Sequence, residues 1–317
     1  MIKNIGILGV GGVGGYFGGK LCTLQNGAGA QKVFFVARGA HLKAIKEHGL
    51  SLKTENEGEM QCRPFLTTDS CQALPPLDLC LVCVKEFDLH ELLVNLKNQI
   101  GEHTIILPLL NGVDVRGRIR KVIDQGIVLP ACAYVGTHIE KPGVVSQNGG
   151  SCKILLGADP DFPDYDPKAL LDLFAQSNIL CEWKTDIESS LWEKFIFICS
   201  FGLVAAAFQK TIGEILEMEE LRARVKSVAE EAVSISKLLG VPLPADIIQS
   251  TIRKGMNFPY ETKPSFQRDF ENPQKKDERD LFLGAMLNYA KDLNVAIPST
   301  DNLQQILEKI KPAAKSP

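Results

Sequence analysis

The heptapeptide Gly9-Val10-Gly11-Gly12-Val13-Gly14-Gly15 constrains this chain more than any other feature. It follows the apolar run 5–8 and opens a helix-length stretch, so a G-x-G-x-x-G string stands in a strand–turn–helix setting. Gly9 permits the tight turn, Gly11 lets backbone approach a pyrophosphate, and Gly14 lets the helix pack closely on the strand. The helix amino terminus then offers N–H groups and partial positive charge to phosphates. A βα turn that was merely tight would not need three glycines at these spacings. Gly9, Val10, Gly11, Gly12, Val13 and Gly14 are therefore expected to hold a dinucleotide.

The rest of the first half agrees with such a fold. Short β-branched or apolar runs at 5–8, 32–36, 79–84, 104–107, 127–129 and 153–156 alternate with polar or helix-length segments, as in a parallel sheet covered on both faces. Between 133 and 156 the pattern changes to antiparallel hairpins, with turns expected at Lys141-Pro142-Gly143 and Asn148-Gly149-Gly150. From about residue 186 the period is helical. A long apolar helix spans 187–208, and an amphipathic one spans 215–239, carrying Leu221, Val225, Val228, Ala232, Ile235, Leu238 and Leu239 on one face. Gly240 before Val241-Pro242 stops it. Helices at 280–293 and 301–310 follow, separated by Pro298-Ser299-Thr300, and the tail 312–317 is expected to fray. The fold class is α/β: a doubly wound Rossmann domain over 1–182, then an all-helical domain over 183–317.

Composition narrows the partners. With 35 Lys+Arg against 38 Asp+Glu the net charge is −3, and no basic stripe is present; Lys275-Lys276 is flanked by Asp277 and Glu278. Nucleic acid is not an expected partner. Continuous apolar runs such as 195–200 fall short of the ~20 residues of a membrane span, and the amino terminus reads as a strand rather than an export signal. Nine cysteines, an odd number, suit free thiols in the cytoplasm. Cys80 and Cys83 lie in an apolar run with no second pair at zinc spacing, so buried strand cysteines are expected and no metal. The long apolar helix has two outlets, burial in the helical domain or a homodimer contact.

At the end of the second expected strand stand Ala37-Arg38, where an NAD site usually carries an acid for the ribose 2′-hydroxyl; no carboxylate occurs until Glu47. A guanidinium there suits a 2′-phosphate, which points to NADP(H). Lys85 and Asn111-Gly112 follow two further strands, at the carboxyl ends where such folds bind ligand, although a solvated lysine and an Asn-Gly turn would look the same. Lys194, inside Leu191-Trp192-Glu193-Lys194-Phe195-Ile196-Phe197, either snorkels outward or is partly desolvated and usable as a general acid. The five histidines all precede residue 139 and form no triad, so hydrolysis has no support.

Taken in order, the glycine turn, Arg38, Val84-Lys85, Asn111-Gly112, Leu191-Trp192-Glu193-Lys194 and the late Ser265…Glu278 pair resemble ketopantoate reductase, the 2-dehydropantoate 2-reductase family, across essentially the whole chain. The resemblance implies a helical domain like that of 6-phosphogluconate dehydrogenase and reduction of 2-dehydropantoate to (R)-pantoate by NADPH, a step toward pantothenate and coenzyme A. It implies that Lys194 protonates the oxygen as hydride reaches the keto carbon. Glu278 would engage the substrate hydroxyls and the lysine, Ser265 the substrate carboxylate, and Asn111 and Lys85 cofactor and substrate. The chain departs from the pattern at Ile198, Gly202 and Leu283, where family members commonly carry asparagines. That departure raises two alternatives: reduction of a more apolar 2-oxo acid, or a non-catalytic NADP(H) sensor.

Overall fold

The computed structural model describes residues 2–25 and 30–311. The expected tail at 312–317 lies outside the described residues. Along the chain, strand β1 (Asn4–Leu8) leads through the glycine turn into helix α1 (Gly12–Leu21), followed by β2 (Lys32–Val36), α2 (Gly39–His48), β3 (Leu50–Thr54), β4 (Gly58–Cys62), β5 (Leu66–Thr68), β6 (Leu79–Val82), α3 (Glu86–Leu96), β7 (Ile105–Pro108), α4 (Val115–Arg120) and β8 (Ile127–Val128). Then come β9 (Ala131–Tyr134), β10 (Thr137–Lys141), β11 (Val144–Gln147), β12 (Lys153–Gly157), α5 (Lys168–Gln176) and β13 (Leu180–Lys184). Among the described residues seven α-helices follow: α6 (Ile187–Phe208), α7 (Ile212–Glu217), α8 (Glu219–Leu238), α9 (Ile247–Met256), α10 (Ser265–Phe270), α11 (Ala285–Leu293) and α12 (Pro298–Ile310).

The described residues divide into two compact units. One takes the chain up to Leu110 and from Val115 to Ile187; the other takes Asn111–Asp114 and everything from Glu188. The chain leaves the first unit at Ile187 rather than at residue 182, because β13 pairs along β12 and belongs to that unit.

In the first unit a six-stranded parallel sheet has the order β5-β2-β1-β6-β7-β8. The order reverses between β1 and β6, the place where doubly wound sheets bind their ligands. Ile5, Ile7, Val33, Phe35, Leu79, Leu81 and Leu107 are fully or almost fully buried, as continuous apolar strands under helices must be. Cys80 is buried within β6, while Cys83 falls just past its end. At 133–156 one expected hairpin is present and one is not. The β10–β11 hairpin turns at Pro142-Gly143, with Gly143 at φ +80. The Asn148-Gly149-Gly150 turn does not fold β12 back on β11: β11 pairs with β3, whereas β12 pairs with β9 and β13. Two glycines at φ +74 and +80 carry the chain from one small sheet to another, and a local turn signal cannot specify which strand lies beyond it.

In the second unit α6 runs over the expected residues. By length and composition it could cross a membrane, but 72% of its most apolar window is buried, as in a core helix. The expected helix at 215–239 is two helices. Thr211 starts α7 with a capping box to Glu214, the chain extends at Met218, and Glu219 and Glu220 favour a new amino terminus. Gly240 at φ +75 ends α8 as expected. Pro298-Ser299-Thr300 is not a spacer but the first turn of α12. Proline suits that position, and the Glu231 carboxylate of α8 accepts from Ser299 N at 2.6 Å and from Thr300 N and Oγ1 at 2.9 and 2.7 Å. The stretch 280–293 begins with a π-turn, Asp280–Gly284, before α11.

Candidate active site

In the first unit the expected nucleotide residues meet at the carboxyl end of β1. Gly9 turns at φ +94, and its N–H and that of Val10 donate to Val36 O at 3.1 and 3.0 Å, anchoring the turn on β2. Gly11 N donates to Gly9 O at 2.9 Å. The glycines serve different masters. A Cβ on Gly14 would lie 2.2 Å from Gly9 O, one on Gly9 would lie 2.7 Å from Val84 Cγ1, and one on Gly12 would lie 2.8 Å from Thr137 Oγ1. A Cβ on Gly11 would meet nothing within 4 Å. Packing thus demands three of the four, whereas Gly11 keeps an open face beside the start of a ten-residue helix with no acid in its first turn. This open backbone fits the pyrophosphate of a dinucleotide. Val10 is buried and Val13 half-buried.

Arg38 stands at the N-cap of α2 just beyond β2. Its side chain is 57% exposed and pairs with Asp88 at 3.2 Å. An exposed pair of this kind is worth about 0–1 kcal/mol, so a doubly charged phosphate could take over the guanidinium. Lys85 is the exposed N-cap residue of α3.

The remaining expected residues belong to the second unit, including Asn111, which the sequence order alone would leave with the strands. Asn111 is half-buried, Gly112 turns at φ +118, and the negative charge of Asp114 reaches Cys199 on α6. Burial first, and Asp114 second, push the Cys199 thiol far up, so it is not a nucleophile. On α6, Trp192 is buried edge-on to Phe195 with centroids 5.4 Å apart and tilted against Tyr289 at 5.9 Å. That anchoring fixes the rotation of the helix and hence the direction in which Lys194, half-buried two residues later, leaves it. Glu193 pairs instead with Lys254 at 3.5 Å. Ile198 and Gly202 follow Lys194 at successive four-residue steps on the same side of α6. A Cβ on Gly202 would touch Phe266 at 3.7 Å, and Phe266 packs edge-on to Phe282 at 5.7 Å. Leu283 is buried.

Ser265 is exposed and opens α10. Glu278 is only 9% exposed, not the solvated acid that the run Asp277-Glu278-Arg279-Asp280 suggests. Its neighbours escaped the sequence reading for the same reason. Asp277 and Arg279, 4% and 13% exposed, pair through two contacts of 2.8 and 2.9 Å. Burial raises the Asp277 carboxyl, but Arg279 and Lys311 together hold it below the ordinary aspartate value. A run of mixed charges looks alike in sequence whether water or an ion-pair network surrounds it. Among the described residues no group of three His, Cys, Asp or Glu could hold a metal ion.

Family models described as ketopantoate reductase PanE/ApbA and its C-terminal part match residues 5–161 and 186–311. A curated 2-dehydropantoate 2-reductase of Mesorhizobium japonicum is 25% identical, covering 97% of each chain. A solved PanE/ApbA family ketopantoate reductase of Ralstonia eutropha superposes with a TM-score of 0.87 at 26% identity, over 97% of this chain and 98% of that one. A solved D-mandelate dehydrogenase with NADH and anilino(oxo)acetate shares the fold, with a TM-score of 0.82 at 21% identity over 97% and 98% of the two chains.

Proposed function

This chain belongs to the ketopantoate reductase PanE/ApbA family of oxidoreductases, and from that premise we propose that it is an NADPH-dependent reductase converting 2-dehydropantoate to (R)-pantoate in the cytoplasm, on the way to pantothenate and coenzyme A. The observation that carries the reading is Lys194, half-buried on a core helix whose rotation Trp192 fixes. Bound NADPH supplies the hydride. The chain's own residues do the rest. The open backbone at Gly11 and the start of α1 hold the pyrophosphate, Arg38 exchanges Asp88 for the 2′-phosphate, and Lys85 and Asn111 contact cofactor and substrate. Ser265 receives the substrate carboxylate and Glu278 the hydroxyls. Lys194 gives a proton to the oxygen on the reacting carbon. Its ammonium helps because negative charge gathers on that oxygen only as the reaction proceeds, so the attraction favours the transition state over the ground state.

The apolar Ile198, Gly202 and buried Leu283 favour a second reading, a 2-oxo acid with an apolar rather than hydroxylated tail. A hydroxyl facing such a wall would forgo hydrogen bonds worth ~0.5–1.5 kcal/mol each. NADPH oxidation over a panel of 2-oxo acids decides between them. Fastest turnover of ketopantoate supports the first reading, and fastest turnover of branched or aromatic acids supports the second. Tight NADPH binding with no turnover of any acid would overturn both and leave a sensor.

A further inference from the structure

Between α10 and the π-turn, the two residues that flank Glu278 in the chain pair with each other, and Lys311 joins them at Asp277. Asp277 Oδ1 accepts from both the backbone N–H and Nε of Arg279, at 3.3 and 2.8 Å, and Oδ2 accepts from Nη2 at 2.9 Å. These bonds close a ring across the one residue that separates them, which is Glu278. Lys311, just past α12, brings its Nζ to 3.4 Å from Asp277 Oδ2. The same amine donates to the carbonyls of Phe270, Asn272 and Lys275 at 3.2, 3.0 and 2.8 Å, capping the end of α10. Phe270, the last residue of α10, has the Arg279 guanidinium 5.4 Å and the Lys311 amine 5.6 Å from its ring centroid. One buried aromatic ring and one buried carboxylate thus share the same two cations.

We infer that Asp277, Arg279 and Lys311 form a positioning clamp that holds Glu278 in a fixed orientation and ties it to α10, the helix that Ser265 opens. The ring across Glu278 removes the backbone freedom that would let its carboxylate wander. Lys311 and Phe270 make the segment 271–279 and α10 move as one piece, so the two positions assigned to substrate keep a constant separation. Arginine suits the task better than lysine, because its planar fork engages both carboxylate oxygens at once. The inference rests on the proposed role of Glu278.

The test is a double-variant cycle on the full-length protein, measuring kcat and KM with the acid that the panel selects, NADPH affinity by fluorescence titration, and thermal midpoint. Arg279→Gln should lower kcat by between about 10- and 100-fold, the usual consequence of misplacing a group that orients the substrate, while NADPH affinity stays within twofold. In a Glu278→Gln background the same change should cost less than twofold more, because the group it positions is already gone. Independent losses that multiply in the double variant, or a folded Arg279→Gln with normal kcat, would overturn the clamp. Should Arg279→Gln fail to fold, Lys311→Met offers a milder break and should show a several-fold loss with the same lack of additivity. Full activity in Glu278→Gln alone is a different failure: it removes the role of Glu278 itself.

Discussion

In the first unit the proposed nucleotide site is made of backbone; in the second the proposed chemistry rests on side chains drawn from segments far apart in sequence. Gly9, Gly12 and Gly14 are there because any side chain would strike Val84, Thr137 or Gly9 itself, and Gly11 leaves a peptide face open. Six consecutive residues build that surface, and strand pairing with β2 and β6 holds it. Lys194, Ser265 and Glu278 instead sit on α6, at the start of α10 and before a π-turn, and each depends on its neighbours for orientation. A backbone site tolerates little change in sequence but needs little help from elsewhere. A side-chain site allows variation around it, and the proposed one stands beside the buried Trp192 and the buried Asp277–Arg279 pair.

The sharpest test of that contrast is Lys194→Ala. It should lower kcat by about 10²–10⁴-fold, the range for loss of a general acid, with NADPH affinity nearly unchanged by titration. A large loss of cofactor binding would show that the lysine belongs to the nucleotide surface. Next comes a pair of glycine variants. Gly14→Ala forces a Cβ against a carbonyl oxygen and should destabilise the first unit by about 1–3 kcal/mol in a denaturant titration. Gly11→Ala should leave stability within about 0.5 kcal/mol but weaken NADPH binding, since its Cβ has room in the free protein and none against a pyrophosphate. Equal stability losses in the two would erase the distinction between packing and binding glycines. The last test is at Arg38, where Arg38→Asp should weaken NADPH by about 10- to 100-fold, the worth of one charge-assisted contact, and NADH far less. An equal loss for both cofactors would separate Arg38 from the 2′-phosphate.

Legibility follows the same division. The β1 turn, β2, α6 and the end of α8 at Gly240 are readable because each is specified by residues in direct succession: an apolar run, a glycine at positive φ, an unbroken apolar helix. The partners of β12, the start of α12 and the burial of Asp277 and Arg279 are not readable in this way. Gly149 and Gly150 permit a turn but do not choose the next sheet, and Pro298 starts a helix with a carboxylate that arrives from Glu231 on α8. Asn111 is the clearest case. It follows β7 directly in the chain, yet Asn111–Asp114 packs with the helical unit.

The sequence by itself determined that the chain would form a Rossmann-type sheet with a glycine turn, followed by helices, one of them long, apolar and carrying a lysine. Such signals are short-range and periodic, so propensity and steric need suffice to set them. Only the tertiary structure decided which charges lose their water. Asp277, Glu278 and Arg279 look like any solvated helix start, yet Asp277 lies against Lys311, Arg279 lies over the Phe270 ring and Glu278 is buried, because desolvation depends on what packs against a residue rather than on the residue's own identity.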